Sequence, residues 1–128
     1  MPTFPYNNSY RPPAPACQVT LLATRGKRAV GLLHAILDTG ADGTLVPQRY
    51  LDEIGVRPVM ETGLRSQWGE RRVVYLHLVK LRIDDIELLD VFVVGDDRSD
   101  EIVVGRNMIN RLQILLDGPT RVTQLSLP

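Results

Sequence analysis

Hydrophobic residues in this chain come in short runs, each closed by glycine, proline or acidic residues. Gln18–Thr24 predicts a strand, and Arg25-Gly26-Lys27 a turn, since glycine accepts a positive φ. Arg28–Leu37 is nearly all apolar, the pattern of a strand buried on both faces. Asp38–Gly43 is a glycine-rich turn, and Thr44–Pro47 a short extended piece. Gln48–Ile54 predicts a helix: Tyr50, Leu51 and Ile54 share a face, and Gly55 stands just past its end. Val56–Glu61 and Arg72–Arg82 predict strands around a polar loop, Thr62–Arg71, that carries Gly63, Trp68 and Gly69. Asp84-Asp85 turns the chain into a strand over Ile86–Val94. An acidic loop, Gly95–Glu101, leads to a short strand, Ile102–Val104. Gly105-Arg106-Asn107 opens a short helix that runs through Leu112. Ile114–Leu116 and Arg121–Leu127 form a last hairpin around Asp117-Gly118-Pro119. Short strands, frequent turns and two short helices predict an all-β domain of compact barrel type.

Residues 1–16 break this rhythm. They hold five of the nine prolines, with Asn7, Asn8 and Ser9 between them, and show no apolar period. A disordered or extended arm is expected there, with the folded domain over residues 17–128. The whole chain of 128 residues suits one domain and is too short for two. Fifteen basic and fifteen acidic residues cancel, so nothing draws the chain toward nucleic acid or an anionic membrane. Two phenylalanines, one tryptophan and four tyrosines are too few for a base-stacking surface. No apolar stretch is long enough to span a bilayer, and no signal peptide is apparent. Together with a single cysteine, Cys17, this suggests a soluble, cytoplasmic protein.

The chemistry concentrates in Ile36-Leu37-Asp38-Thr39-Gly40-Ala41-Asp42. Asp38 follows a rigid apolar strand and precedes a glycine turn, which suits a positioned general base; Gly40 and Ala41 are small enough to let a substrate backbone approach. Two carboxylates about one hydrogen bond apart share a proton, so one activates water while the other hydrogen-bonds the carbonyl oxygen. The bland reading of the same residues is ordinary turn capping. His34 and His77 lie inside apolar strands, and no histidine–cysteine cluster suggests a metal. No phosphate-binding glycine loop appears, and Cys17 lies far in sequence from either histidine; no cofactor is expected.

A second motif, Val103-Val104-Gly105-Arg106-Asn107, joins the first. Together they resemble the retroviral-type aspartic proteases, the retropepsins. The resemblance covers most of residues 18–127, and in its helix and last hairpin it is nearer the cellular and bacterial retropepsin-like domains than the shorter viral enzymes. It implies an acid-protease barrel with a β-hairpin flap, forming half of a twofold dimer. One Asp-Thr-Gly per chain then means that Asp38 from each subunit builds the catalytic pair, without metal or cofactor. It also implies that Thr39 and Gly40 lock the two loops together. Ala41, Asp42, Gly43, Trp68 and Val103 would line the polypeptide substrate's site, and Arg106 would pair with Asp42. Thr62–Arg71 would be the flap, with Trp68 near its tip, although family flaps carry more glycine. The loop Gly95–Glu101 would be a substrate-side wall. Phe4-Pro5 is a candidate self-cleavage bond within residues 1–17. The alternative is a non-catalytic dimeric module of the same fold that grips an extended peptide by strand addition.

Overall fold

The structure, a computed structural model, describes residues 1–65 and 69–128. Ten strands and two short helices are defined there. They are β1 (Thr3–Pro5), β2 (Ala16–Leu22), β3 (Ala29–Leu37), β4 (Thr44–Pro47), α1 (Gln48–Glu53), β5 (Pro58–Arg65), β6 (Arg71–Ile83), β7 (Ile86–Asp96), β8 (Ile102–Val104), α2 (Arg106–Ile109), β9 (Gln113–Asp117) and β10 (Val122–Ser126). A seven-stranded sheet runs β2-β3-β8-β4-β7-β6-β5, and β2 also pairs with β6. That extra pairing closes six strands into a barrel and leaves β5 outside as the free arm of the β5–β6 hairpin. Closure removes the edges an open sheet would present. The core inside is aliphatic: Val19, Leu21, Leu51, Val79, Leu81, Ile83, Val104 and Met108 are fully buried.

Four expectations are corrected by these contacts. Residues 1–16 are not a disordered arm. Thr3–Pro5 pairs antiparallel with β10, the Leu125 amide donates to the Pro2 carbonyl at 3.0 Å, and Asn7 and Ala14 bridge each other. Prolines are tolerated because β1 is an edge strand, where a missing N–H costs no ladder bond, and half-buried Phe4 packs on the core. The polar loop after β5 is shorter than expected, since Thr62–Arg65 continues the strand; Thr62 faces Val74 and Leu64 faces Arg72 across the ladder. Trp68 lies outside the described residues. The apolar run of β3 is not buried on both faces. Only Ala35 is buried there, and Leu32 is 68% exposed. Lastly, β7 extends through Asp96, so the acidic loop is split. Asp96 is buried, accepts the Arg98 amide at 3.0 Å and lies 3.8 Å from Arg72, while Asp100 reaches Arg49 at 2.7 Å.

His77 sits in mid-β6 between Pro58 and Val93, fully buried, with neither ring nitrogen hydrogen-bonded. Burial holds its proton affinity below the ordinary value of 6.5. The unfolded chain therefore takes up a proton on acidification that the folded chain refuses. The stability tied to neutral His77 is complete above about pH 6.5 and drains away as pH falls toward the depressed folded value. His77→Leu is expected to lose less stability than the wild type between about pH 7.5 and about pH 5, in urea unfolding at both. Parallel losses in the two proteins would assign the acid sensitivity to other groups.

Candidate active site

Asp38 is placed by its own backbone and by β8. Strand β8 lies between β3 and β4, with Leu37 opposite Val104 in a parallel pair and Val103 opposite Leu45 in an antiparallel one. The Asp38 amide donates to the Val104 carbonyl at 3.0 Å, which carries the ladder one residue past β3. The chain then turns. Asp38 Oδ1 accepts the Gly40 amide at 2.8 Å, and the Asp38 carbonyl accepts the Ala41 amide at 3.2 Å. A short acidic side chain that bonds an amide two residues on is ordinary turn chemistry. Here it also orients the carboxylate. Asp38, Thr39, Gly40 and Asp42 are exposed, so the carboxylate is open to water.

Arg106 clasps this loop at three points. Its amide donates to the Ala41 carbonyl at 2.8 Å, its Nη1 donates to the Thr39 carbonyl at 2.7 Å, and its Nη2 pairs with the Asp42 carboxylate. The pairing of Arg106 with Asp42 expected from the sequence is thus present. Both side chains are largely exposed, at 44% and 87%, so the ion pair itself contributes little, about 0–1 kcal/mol. The two bonds to backbone carbonyls hold the loop's shape more firmly because they fix the chain itself.

Behind the loop runs a polar relay that the sequence reading did not single out. Buried Thr44 accepts the Gly105 amide at 3.1 Å and donates from Oγ1 to Asn107 Oδ1 at 2.8 Å. Asn107 Nδ2 in turn donates to the Phe92 carbonyl at 2.8 Å. A threonine hydroxyl used as both donor and acceptor leaves no buried polar group wanting there. The available signal was a lone threonine opening an otherwise apolar strand. Gly105 fits the same knot, and a Cβ there would run into the Gly43 carbonyl oxygen.

An apolar row starts two residues before Asp38. Ile36 faces Val103, Val103 faces Leu45, Leu45 faces Val94, Val94 faces Leu76, and Leu76 faces Met60. Directly opposed residues share one face of a sheet, so these six side chains form one stripe across six strands. Val94 is buried, Met60 is exposed and the other four are half-buried. The stripe leads from the Asp38 loop to the β5–β6 hairpin. Of these six only Val103 was expected from the sequence; Ala41 and Gly43 stand half-buried in the loop beside it.

Cys17 is buried on β2, and burial pushes its thiol up to about 12, far from a reactive thiolate. Among the described residues no cluster of three metal-ligating side chains occurs, and no helix is long and apolar enough to cross a membrane.

Residues 31–111 match the family described as "gag-polyprotein putative aspartyl protease". The chain belongs to that family, and its fold is that of the retropepsin-like aspartic proteases. A retropepsin-like aspartic protease from Rickettsia conorii superposes with a TM-score of 0.64 at 13% identity, over 96% of this chain and 87% of that one. The retroviral protease-like domain of Ddi1 from Leishmania major gives 0.53 at 16% identity, over 88% of each chain. The foamy viral protease–reverse transcriptase, solved in complex with an RNA/DNA hybrid, gives 0.53 at 18% identity over 75% of this chain. The match spans only 12% of that longer viral chain. No curated protein matches the sequence.

Proposed function

We propose that this protein is an aspartic endopeptidase that works as a homodimer, with one Asp38 from each subunit. The observation that carries this reading is the exposed Asp38 carboxylate at the end of a continuous apolar stripe, oriented by the Gly40 amide while the Val104 carbonyl holds the Asp38 backbone amide. Each chain brings one such carboxylate, and amide hydrolysis by this chemistry needs two. In the dimer the two carboxylates share one proton. The ionised one takes a proton from water, which attacks the scissile carbonyl. The protonated one donates to the carbonyl oxygen, and the amine leaves with a proton returned by the pair. Thr39 and Gly40 face the partner loop. Ala41, Asp42 and Gly43 flank the substrate backbone, and the stripe from Ile36 to Met60 takes its apolar side chains, with the β5–β6 hairpin beside it. Activity is expected to be greatest at acid to mildly acidic pH, where the pair holds one proton; that profile belongs to the pair.

The three-stranded sheet β1-β10-β9 supplies a surface for the second copy. Strand β1 is a poor edge because of Pro2 and Pro5, whereas β9 is the other edge and exposes Leu115 (55%) and Leu116 (46%). Casein hydrolysis is expected to rise faster than linearly with protein concentration, as a weak dimer requires. Replacing both Leu115 and Leu116 by aspartate should lower it at least about tenfold at micromolar protein, with the monomer still folded by circular dichroism. Strictly linear activity, unchanged in that variant, would place the catalytic unit in a single chain.

Strand β5, open along one edge, favours a second reading, a peptide-gripping module without hydrolysis. Self-cleavage at Phe4-Pro5 belongs to the first reading and requires β1 to leave β10, because a bond held in a strand pair cannot extend into a cleft.

A further inference from the structure

A second concavity, of about 620 Å³, opens where residues 4–9 pass over the start of β2 and the middle of β3. None of Asp38–Gly43 lines it. Its volume lies within the range of ligand sites rather than packing defects. The walls are unusual for so polar a surface. Phe4, Tyr6 and Tyr50 supply aromatic rings, while Asp100 and Glu101 supply carboxylates. Among the described residues no lysine or arginine lines the space. Aromatic faces beside carboxylates select a cation on an apolar stem: the ring faces are electron-rich, and the stem is covered by hydrocarbon while the charge meets oxygen.

The same groups already hold a guanidinium within the chain. Arg49 Nη1 meets Asp100 Oδ1 at 2.7 Å, Nη2 donates to the Tyr50 hydroxyl at 2.9 Å, and the guanidinium carbon lies 4.5 Å from the Tyr50 ring centre. Arg49 is not itself part of the lining, and the Asp100 carboxylate is 93% exposed, so this pair exchanges readily with an incoming cation. Glu101 is held at the rim by the Tyr10 hydroxyl, which occupies one of its oxygens. That hydrogen bond pushes the tyrosine up to about 12, as an ionised neighbour should.

We propose that this cleft docks an arginine or lysine side chain of a polypeptide, outside the site built around Asp38. Asp100 and Glu101 meet the charge, Tyr50 and Phe4 cover the stem, and Gln18 offers an amide to the peptide backbone. The inference goes beyond the hydrolytic reading and does not depend on it, since docking here requires nothing of Asp38. A polypeptide engaged at both places would be held by a basic residue at one and by apolar residues at the other, and the joint hold would exceed either alone.

The test is an amide NMR titration of the full ¹⁵N-labelled chain carrying Asp38→Asn, so that no probe is consumed. The probes are Ac-Ala-Arg-Leu-Ala-NH2, its citrulline counterpart, which keeps the shape and removes the charge, and L-argininamide. The arginine peptide is expected to shift amides of Leu33, His34 and Glu101, with the citrulline peptide at least about fivefold weaker. Asp100→Asn with Glu101→Gln should weaken the arginine peptide by about fivefold and leave the citrulline peptide unchanged. Arg49→Ala should tighten it, since the internal competitor is gone. Equal binding of the two peptides, shifts confined to the Asp38 loop and the apolar stripe, or weaker binding to Arg49→Ala would each overturn the proposal. L-argininamide binding as tightly as the peptide would overturn its polypeptide part. Because binding is read residue by residue in a hydrolysis-silent chain, neither outcome depends on whether the wild type cleaves casein.

Discussion

Asp38→Asn is expected to reduce casein hydrolysis by about a thousandfold or more, with folding and self-association retained. The asparagine carbonyl oxygen can still accept the Gly40 amide, and the backbone bond to Val104 is untouched, so the loop keeps its shape. What disappears is proton transfer, since an amide takes no proton from water in this range. The stability read from urea unfolding should therefore change little, within about 0.5 kcal/mol, the usual range for a surface change. This combination separates the two functional readings. A peptide-gripping module would bind an extended apolar peptide equally well before and after the substitution, and its wild type would cleave nothing at any pH. Loss of folding in the variant would instead make Asp38 a structural turn residue. Hydrolysis at the wild-type rate would remove Asp38 from the reaction.

Gly105→Ala should be almost as damaging, for a steric reason. Gly105 is buried, and its backbone is extended, with φ of −95°, a conformation any residue adopts. The difficulty is space. The new methyl would meet the Gly43 carbonyl oxygen and lie 3.0 Å from that of Ala41, and both are backbone atoms of the Asp38 loop. Neither can swing aside as a side-chain tip would. The flanking residues transmit the push: the Val104 carbonyl holds the Asp38 amide, and the Arg106 amide holds the Ala41 carbonyl. A loss of about 1–3 kcal/mol of stability is expected. Activity should fall by about a hundredfold even where the chain is folded, because a misplacement of about 1 Å is enough to spoil a catalytic geometry. Gly118→Ala is the control, with nothing within 4 Å of the added methyl, and should be nearly silent. If Gly105→Ala matched that control in urea unfolding and in hydrolysis, β8 would not be bracing the loop.

Much of the local structure is legible in the chain. Glycine, proline and acidic pairs mark the turns, so β4, α1 and β8 fall where their residue patterns place them. The Asp38 loop and the Gly105-Arg106-Asn107 segment stand out for the same reason, and their contact is visible in advance only through likeness to a known family. The misjudged elements share a cause. Proline-rich residues 1–16 look unstructured when weighed alone, because the hydrogen bonds that order them come from β10, at the other end of the chain. Likewise β3 looks doubly buried by composition, but burial depends on what lies opposite each face.

By itself, then, the sequence determined the alternation of strand and turn, the mostly β class and the presence of one carboxylate on a tight glycine turn. These are local properties, set by backbone sterics and the period of side chains along a strand. Only the tertiary structure decided which residues meet. The stripe from Ile36 to Met60 joins six strands whose register no single segment encodes, since a slip of one residue in any of them would turn its side chain to the opposite face. The Thr44–Asn107 relay, the splitting of the acidic loop and the second cleft under residues 4–9 arise in the same way. They depend on long-range pairing, whose energy is shared among distant segments and appears only when the barrel closes.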